Sequence, residues 1–551
     1  MGFELTSRFL GREKRGLGLT ISGEARSALF GALLLAGLVA STAAAQVTPQ
    51  RLLDAAKEPE NWLMYSGDYA GRRYSTLAQI NKDNASSLVA KWAYQTMAGG
   101  KFETTPLVAD GVVYATGADD RAFALDARSG RPIWQYQRAL PQDIRPCCGR
   151  VNRGFAILGD KVFLGTLDAH VMALDTKTGN VVWDVSTSDY NKGYSITLAP
   201  LVIKNLVLIG VSGGEYGIRG FIDAYDTATG ARKWRFYTVP GPGEPGHETW
   251  EGDSWKIGGA PAWITGTYDS ATNTTFWTTG NPSPSNRGEG RAGDNLYSNS
   301  LLALDPDTGK LKWHFQFTKH DEHDYDATQV PVLVDEGDRH LVLHANRNGF
   351  FYVLDRENGK LISATPYGRV TWSNAKDASG VPVERNEASP TLAGVPVCPG
   401  ALGATNWFSP TYDPQTKLFY VTAREQCDIF STAPQPYEAG HAFYGSAYFP
   451  NDDAQPFWGA VRAIDPRTSE IKWELKHLSP SWSGVLSTAG GLVFTGDAEG
   501  NFMALDAATG KILWHFQCGA SVYASPMTYA VGGQQYIAIA AGSTLFAFGL
   551  P

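Results

Sequence analysis

Short stretches in which apolar side chains alternate with small or polar ones recur along the chain, as in AFALDA (122–127), VMALDT (171–176) and FMALDA (502–507). A period of two places successive side chains on opposite faces and predicts β-strands. Each such run leads into the same punctuation, Asp-x3-Gly-x3-Trp. Clean copies are Asp126-Gly130-Trp134, Asp175-Gly179-Trp183, Asp226-Gly230-Trp234, Asp305-Gly309-Trp313 and Asp506-Gly510-Trp514. Two copies are degraded: Asp355 and Gly359 end in Ser363, and Asp465 with Trp473 has Ser469 in place of Gly. The Asp-to-Gly spacing suits a tight turn in which Gly takes positive φ, and the Trp then falls on the following strand.

Neighbouring copies are mostly 41 to 51 residues apart. That spacing fits one four-stranded sheet per repeat, and a radial array of such sheets is a β-propeller. Two gaps are longer, 79 residues from Trp234 to Trp313 and 110 from Ser363 to Trp473. Both predict insertions, and the second predicts a further blade with TYDPQTKLFYV (411–421) as its worn signature. The insertions, in 235–300 and 364–460, are expected to shape the entrance to a functional face. Ring closure requires the last strands, near QQYIAIAAGSTLFAFG, to pair close to the first, near LVAKWAYQT. No linker divides the repeats, so residues 46–551 are expected to form a single domain.

Composition agrees with an all-β reading: 60 Gly, 16 Trp and 24 Tyr in 551 residues. The N-terminus has a different character. Arg8, Arg12, Lys14, Arg15 and Arg26 precede an apolar run at 28–40, and Ala43-Ala44-Ala45 supplies small residues for cleavage. This predicts a signal peptide over 1–45 with a long basic leader. The run is short for a membrane anchor, and no other stretch is long or apolar enough to span. Residues 1–45 hold five basic and three acidic groups, so their removal takes the net charge from −8 to −10. An acidic surface argues against nucleic acid as a partner and suits a basic protein. Export also permits disulfides.

The densest chemistry lies in HDEHDYD (320–326), where four of seven residues are acids. In an extended segment Asp324 and Asp326 would face one side together, where they suit a hard cation or a tuned base. Taken alone, the stretch reads more readily as an acidic surface turn. Adjacent Cys147 and Cys148 are too close for a zinc motif and can close an eight-membered disulfide ring. Arg150 and Arg153 follow them and are available to an anionic ligand. Cys398 and Cys427 are the natural second bridge, leaving Cys518 as an odd thiol expected to be buried.

From NWLMYSGDYAGRRYSTLAQIN to its C-terminus the chain resembles the pyrroloquinoline quinone (PQQ)-dependent alcohol dehydrogenases, the eight-bladed methanol and ethanol dehydrogenase family. The motifs that carry the resemblance are CCGRVNRG, SGGEYGIRG, TWEGDSWKIGGAPAW, TGNPSP, HDEHDYDATQ, HANRNG and CPGALGATNW paired with Cys427. The resemblance implies PQQ lying flat between the Cys147–Cys148 ring and the indole of Trp263. It implies contacts to the cofactor from Glu103, Arg153, Thr197, Ser212, Gly213, Gly214, Arg347, Asn406 and Trp482. It implies a metal ion on Glu215 and the side-chain carbonyl of Asn281, with Asp324 as catalytic base. Asp326 is a more particular sign. Calcium-dependent methanol dehydrogenases of the family usually have a small residue there, and lanthanide-dependent members an aspartate. Three carboxylates match a trivalent ion, so a lanthanide is favoured over Ca2+. His323 stands where many relatives have an aromatic residue and is expected beside the substrate cavity.

The implied activity is periplasmic oxidation of primary alcohols to aldehydes. The chain has no Cys-x-x-Cys-His, so no c-type haem is attached to it and a separate cytochrome c is the expected electron acceptor. Three alternatives stand beside this reading. The substrate could be a sugar, polyol or aldehyde; the chain could be a non-catalytic protein-binding propeller; and a homodimer stays open.

Overall fold

The computed structural model describes residues 46–97, 99–451 and 457–551. The expected signal peptide, 1–45, lies outside the described residues. The recurring sequence unit folds as a four-stranded antiparallel sheet taken in chain order. The first is Leu107–Ala109, Val112–Thr116, Arg121–Asp126 and Pro132–Gln137. Its first three strands are apolar and almost wholly buried, whereas the fourth alternates exposed and buried positions. The same order recurs in sheets whose first full strands begin at Ala156, Leu201, Thr267, Val332, Thr411 and Val485.

The last sheet joins the two ends of the described chain. Met527–Val531, Gln534–Ala541 and Thr544–Gly549 are completed by Val89–Gln95, which runs antiparallel to Thr544–Gly549. This is the pairing that ring closure requires. Among the described residues there are eight sheets of four or five strands, and the described residues form one compact unit. Among the described residues helix is confined to Pro49–Leu53 and short 3-10 turns.

Five of the repeated Trp residues reach a backbone carbonyl of the following sheet. The indole N–H of Trp134 donates to Thr176 (2.8 Å), that of Trp183 to Thr227 (3.2 Å) and that of Trp234 to Pro306 (2.9 Å). Trp473 and Trp514 donate likewise to Ala507 (3.0 Å) and Leu88 (3.0 Å). The rings of Trp134, Trp183, Trp234 and Trp473 each lie over the turn glycine of the next sheet. At Gly309, φ is +72° and a Cβ would stand 2.5 Å from the Trp234 ring, so the position excludes a side chain twice over. Burying such an indole removes on the order of 200 Å² from water, about 5 kcal/mol before entropy is charged. Trp92, outside the Asp-x3-Gly-x3-Trp pattern, takes this place in the closing sheet and donates to Ala127 (3.1 Å).

The stretch at 411–421 is not an additional blade. Thr411–Asp413 and Leu418–Glu425 are the first two strands of the sheet that ends in Glu470–His477, with Trp473 on its outer strand. Asp413 closes a turn by accepting from the N–H of Lys417 (2.8 Å), the local chemistry of the repeat turn placed between different strands. The rest of the long gap is an insertion that includes the three-stranded sheet Val395–Val397, Asp428–Phe430 and Tyr448–Pro450. Cys398 and Cys427 form a disulfide beside it, and Cys147 and Cys148 form the vicinal one. Cys518 is half-buried rather than buried, because it follows the exposed outer strand Ile512–Gln517.

Candidate active site

Antiparallel order brings two kinds of loop to one end of each sheet: the segment entering the first strand and the link from second to third. The expected site residues fall on these loops. Glu103, Arg153, Thr197, Trp263, Asp326, Asn406 and Trp482 stand three to six residues before the first strands of their sheets. Ser212, Asn281 and Arg347 follow second strands that end at Gly210, Thr278 and Ala345. The repeat thus delivers distant residues to one cavity of about 420 Å3. Glu103, Cys147, Cys148, Arg153, Thr197, Ser212, Gly213, Glu215, Trp263, Asp324, Asp326, Arg347, Asn406 and Trp482 all line it. Gly214 and Asn281 are buried just behind the wall: a Cβ at Gly214 would stand 3.7 Å from Asn281 Oδ1.

One side of the cavity is aromatic and basic. The Arg153 guanidinium lies 5.0 Å from the Trp263 ring and 4.8 Å from the Trp407 ring. It pairs with Glu103 (2.7 Å) and donates to Thr197 Oγ1 (2.9 Å), which is 2.8 Å from Ser212 Oγ. Burial pushes the Glu103 carboxyl up even beside Arg153. Arg150 does not join this group. It is exposed and pairs with Asp119 (2.9 Å), whose backbone N–H also donates to the Arg150 carbonyl (3.1 Å).

The other side is acidic. Arg347 donates to Asp326 Oδ2 (2.5 Å) and Asp324 Oδ2 (3.0 Å) and is anchored on the carbonyl of Ala401 (2.8 Å). The loop bearing Ala401 lies between the bridged Cys398 and Cys427. Asp326 Oδ1 accepts from the backbone N–H of Asn281 (2.7 Å). Burial pushes the carboxyls of Asp324 and Asp326 up, with Arg347 opposing. Glu215 is raised to about 7 by burial and by the negative charge of Asp326. Asp324 and Asp326 face one cavity, but not through strand alternation: the segment is irregular and Asp324 has φ +62°. His323 is not beside the cavity. It is fully buried between Tyr325 and Phe430, with Nε2 2.9 Å from the carbonyl of Ala388, because the turn at Asp324 sends the two side chains apart.

Two buried oxygens here have no hydrogen-bond partner, Asn281 Oδ1 and Asp324 Oδ1. An unpaired amide oxygen and three carboxylates form a donor set suited to a hard cation. Among the described residues, however, Glu215, Asp324 and Asp326 do not bring one oxygen each within 4.8 Å of one another. Like charges repel, and Arg347 satisfies two of the three acids. The two disulfide sulfurs near Glu215 are not thiolates and offer no comparable ligand. On the basic side, parallel demands of a flat, anionic cofactor are met by indole faces, a guanidinium and hydroxyl donors. Lys101, Leu402, Trp407, Tyr444 and Tyr448 also line the cavity and were not singled out from the sequence. Of these, Leu402 and Trp407 had a signal there, both lying in CPGALGATNW.

The family model for the β-propeller domain of PQQ-dependent glucose, ethanol and alcohol dehydrogenases matches residues 62–385 and 375–537. The chain is 41% identical over 544 residues to quinoprotein alcohol dehydrogenase PedH of Pseudomonas putida, spanning 93% of this chain and 91% of that protein. It is 36% identical over 547 residues to a lanthanide-dependent methanol dehydrogenase of Methylacidiphilum fumariolicum, spanning 92% and 88%. Among solved structures, a europium-containing methanol dehydrogenase superposes with a TM-score of 0.87 at 33% identity, covering 91% of this chain and all (100%) of that one. The quinohemoprotein alcohol dehydrogenase of Comamonas testosteroni superposes with a TM-score of 0.85 at 36% identity, covering 92% and 82%. An all-β propeller with these motifs, this cavity and these relatives has one assignment: the chain belongs to the PQQ-dependent alcohol dehydrogenase family.

Proposed function

We propose that this enzyme oxidises primary alcohols to aldehydes with PQQ held between the Cys147–Cys148 disulfide and Trp263. A lanthanide ion, in preference to Ca2+, is held by Glu215, Asn281, Asp324 and Asp326. The observation that carries the reading is Asp324, whose Oδ1 is buried without a partner while Arg347 holds Oδ2. When bound, the quinone supplies an acceptor for the alcohol's hydride, and the cation supplies Lewis acidity. Arg153, Thr197 and Ser212 orient carboxylates of the cofactor, and Glu103 and Asn406 complete its rim. Asp324 Oδ1 takes the hydroxyl proton of the alcohol. Burial makes Asp324 a stronger base, and positive charge from Arg347 favours its ionised form. Arg347 also holds negative charge that develops beside it. Three acid ligands balance a trivalent ion and leave excess repulsion around a divalent one.

The eight sheets are eight blades docked through tryptophan, in one domain over 46–551 that is exported to the periplasm after loss of 1–45. A soluble basic cytochrome c takes the electrons, steered by the acidic surface. The test is dye-linked alcohol oxidation by the purified chain loaded with PQQ, with lanthanum or calcium added. Activity with lanthanum is expected; activity with calcium alone would remove Asp326 from the ligand set. Asp324→Asn is expected to lower kcat roughly a hundredfold or more with PQQ still bound. Normal turnover by that variant would make the base assignment wrong.

A further inference from the structure

The acidic end of the cavity has a wall that the cofactor reading does not use. Tyr444 and Tyr448 line it, from the insertion between Leu418–Glu425 and Trp458–Asp465. Both are half-buried, and among the described residues neither phenol hydroxyl has a hydrogen-bond partner. Their backbones are held in place. The N–H of Phe443 donates to the carbonyl of Glu215 (2.6 Å), and the N–H of Asn286 donates to that of Tyr444 (2.9 Å). Tyr448 pairs with Phe430 across two short strands, their rings 6.2 Å apart, and Phe430 packs edge-on against His323, the neighbour of Asp324. Burial pushes both phenols up, and the charges of Asp324 and Glu215 add to it. Two phenols on a held backbone therefore line the cavity together with Asp324.

We propose that Tyr444 and Tyr448 form a subsite for a second hydroxyl, so that the preferred substrates are short diols or polyols rather than plain alkanols. The proposal rests on the alcohol dehydrogenase reading of this cavity. A phenol both donates and accepts, and so does a substrate hydroxyl. An alkyl chain in the same place would strip water from both phenols and return nothing. A site built to pair a hydroxyl rejects the analogue lacking it far more strongly than an apolar pocket rejects an extra methylene.

The experiment compares 1-propanol with 1,3-propanediol and 1,2-propanediol on the PQQ- and metal-loaded enzyme and on its Tyr444→Phe and Tyr448→Phe variants. The expected result is a kcat/KM ratio favouring a diol by about tenfold or more in the wild type and collapsing towards one in a variant. The fully reduced holoenzyme cannot turn over, so relative binding of diol and propanol to it, measured by saturation-transfer NMR, should show the same loss. An unchanged ratio in both variants, or a wild type that favours 1-propanol, overturns the subsite alone. Oxidation of none of the three alcohols with PQQ bound overturns the alcohol dehydrogenase reading and the subsite with it.

Discussion

At the scale of single residues, the acidic side of the cavity depends on one missing side chain. A Cβ at Gly280 would stand 2.1 Å from Asp326 Oδ1. Only glycine lets that carboxylate reach the N–H of Asn281 and the cavity at once. Gly280→Ala is therefore expected to displace Asp326 and weaken lanthanide binding about ten- to a hundredfold, the range for lost positioning of a ligand. Terbium luminescence titration reads this, with circular dichroism to show the fold intact. Unchanged affinity would mean that Asp326 does not ligate. The sequence made the two aspartates legible as a pair but not the path that aims them. Alternation in a strand and a left-handed turn at Asp324 deliver the same two side chains, and only the turn sends His323 into the core. Arg150 and Arg153 read as equivalent for the same reason: spacing does not say which of two nearby arginines the fold buries.

At the scale of elements, the Trp-to-Gly contact explains both of its exceptions. Ser363 stands in a Trp position and Ser469 in a Gly position, and their hydroxyls lie 3.4 Å apart. They are the two halves of one interface: where no indole arrives, the turn opposite has no need of glycine. Elsewhere the contact is expected to carry measurable stability. Trp234 is 9% exposed and donates to Pro306, so Trp234→Ala should cost about 3–5 kcal/mol. Trp234→Phe keeps most of the packing and should cost about 1 kcal/mol for the hydrogen bond in addition to the lost ring area. Denaturant unfolding of the three proteins checks the order, and equal costs for both variants would assign the stability to the hydrogen bond rather than the ring. The repeat was readable because its turn chemistry is local. The stretch at 411–421 reads as a further blade because Asp413 makes the same turn between a different pair of strands.

At the scale of the molecule, loops from one end of successive sheets make one cavity, and pairing of Val89–Gln95 with Thr544–Gly549 makes one body. The contacts of Tyr444 and Tyr448 were not legible, because the insertion carrying them has no period to count. One body also makes buried titration a global matter. His344 is fully buried, stacked on Phe317 at 4.5 Å, and its Nδ1 has no partner. Burial pushes it down from 6.5 to about 3. Between those values the unfolded chain binds a proton that the folded chain refuses. This residue's contribution to stability is thus complete above 6.5 and falls by roughly 1.4 kcal/mol for each pH unit below it. Asp120 and Glu384 act with the opposite sign. Burial raises them to about 7 and about 8, so the folded chain holds protons the unfolded chain releases, and they favour folding as pH falls through those values. Total stability therefore mixes the two, and the difference between wild type and His344→Phe isolates the histidine. That difference should shift steadily in favour of the variant from pH 6.5 to pH 4 in urea unfolding, whatever its value at pH 7. A difference independent of pH would mean that His344 takes up its proton in the folded state, and that its environment is wetter than its burial implies.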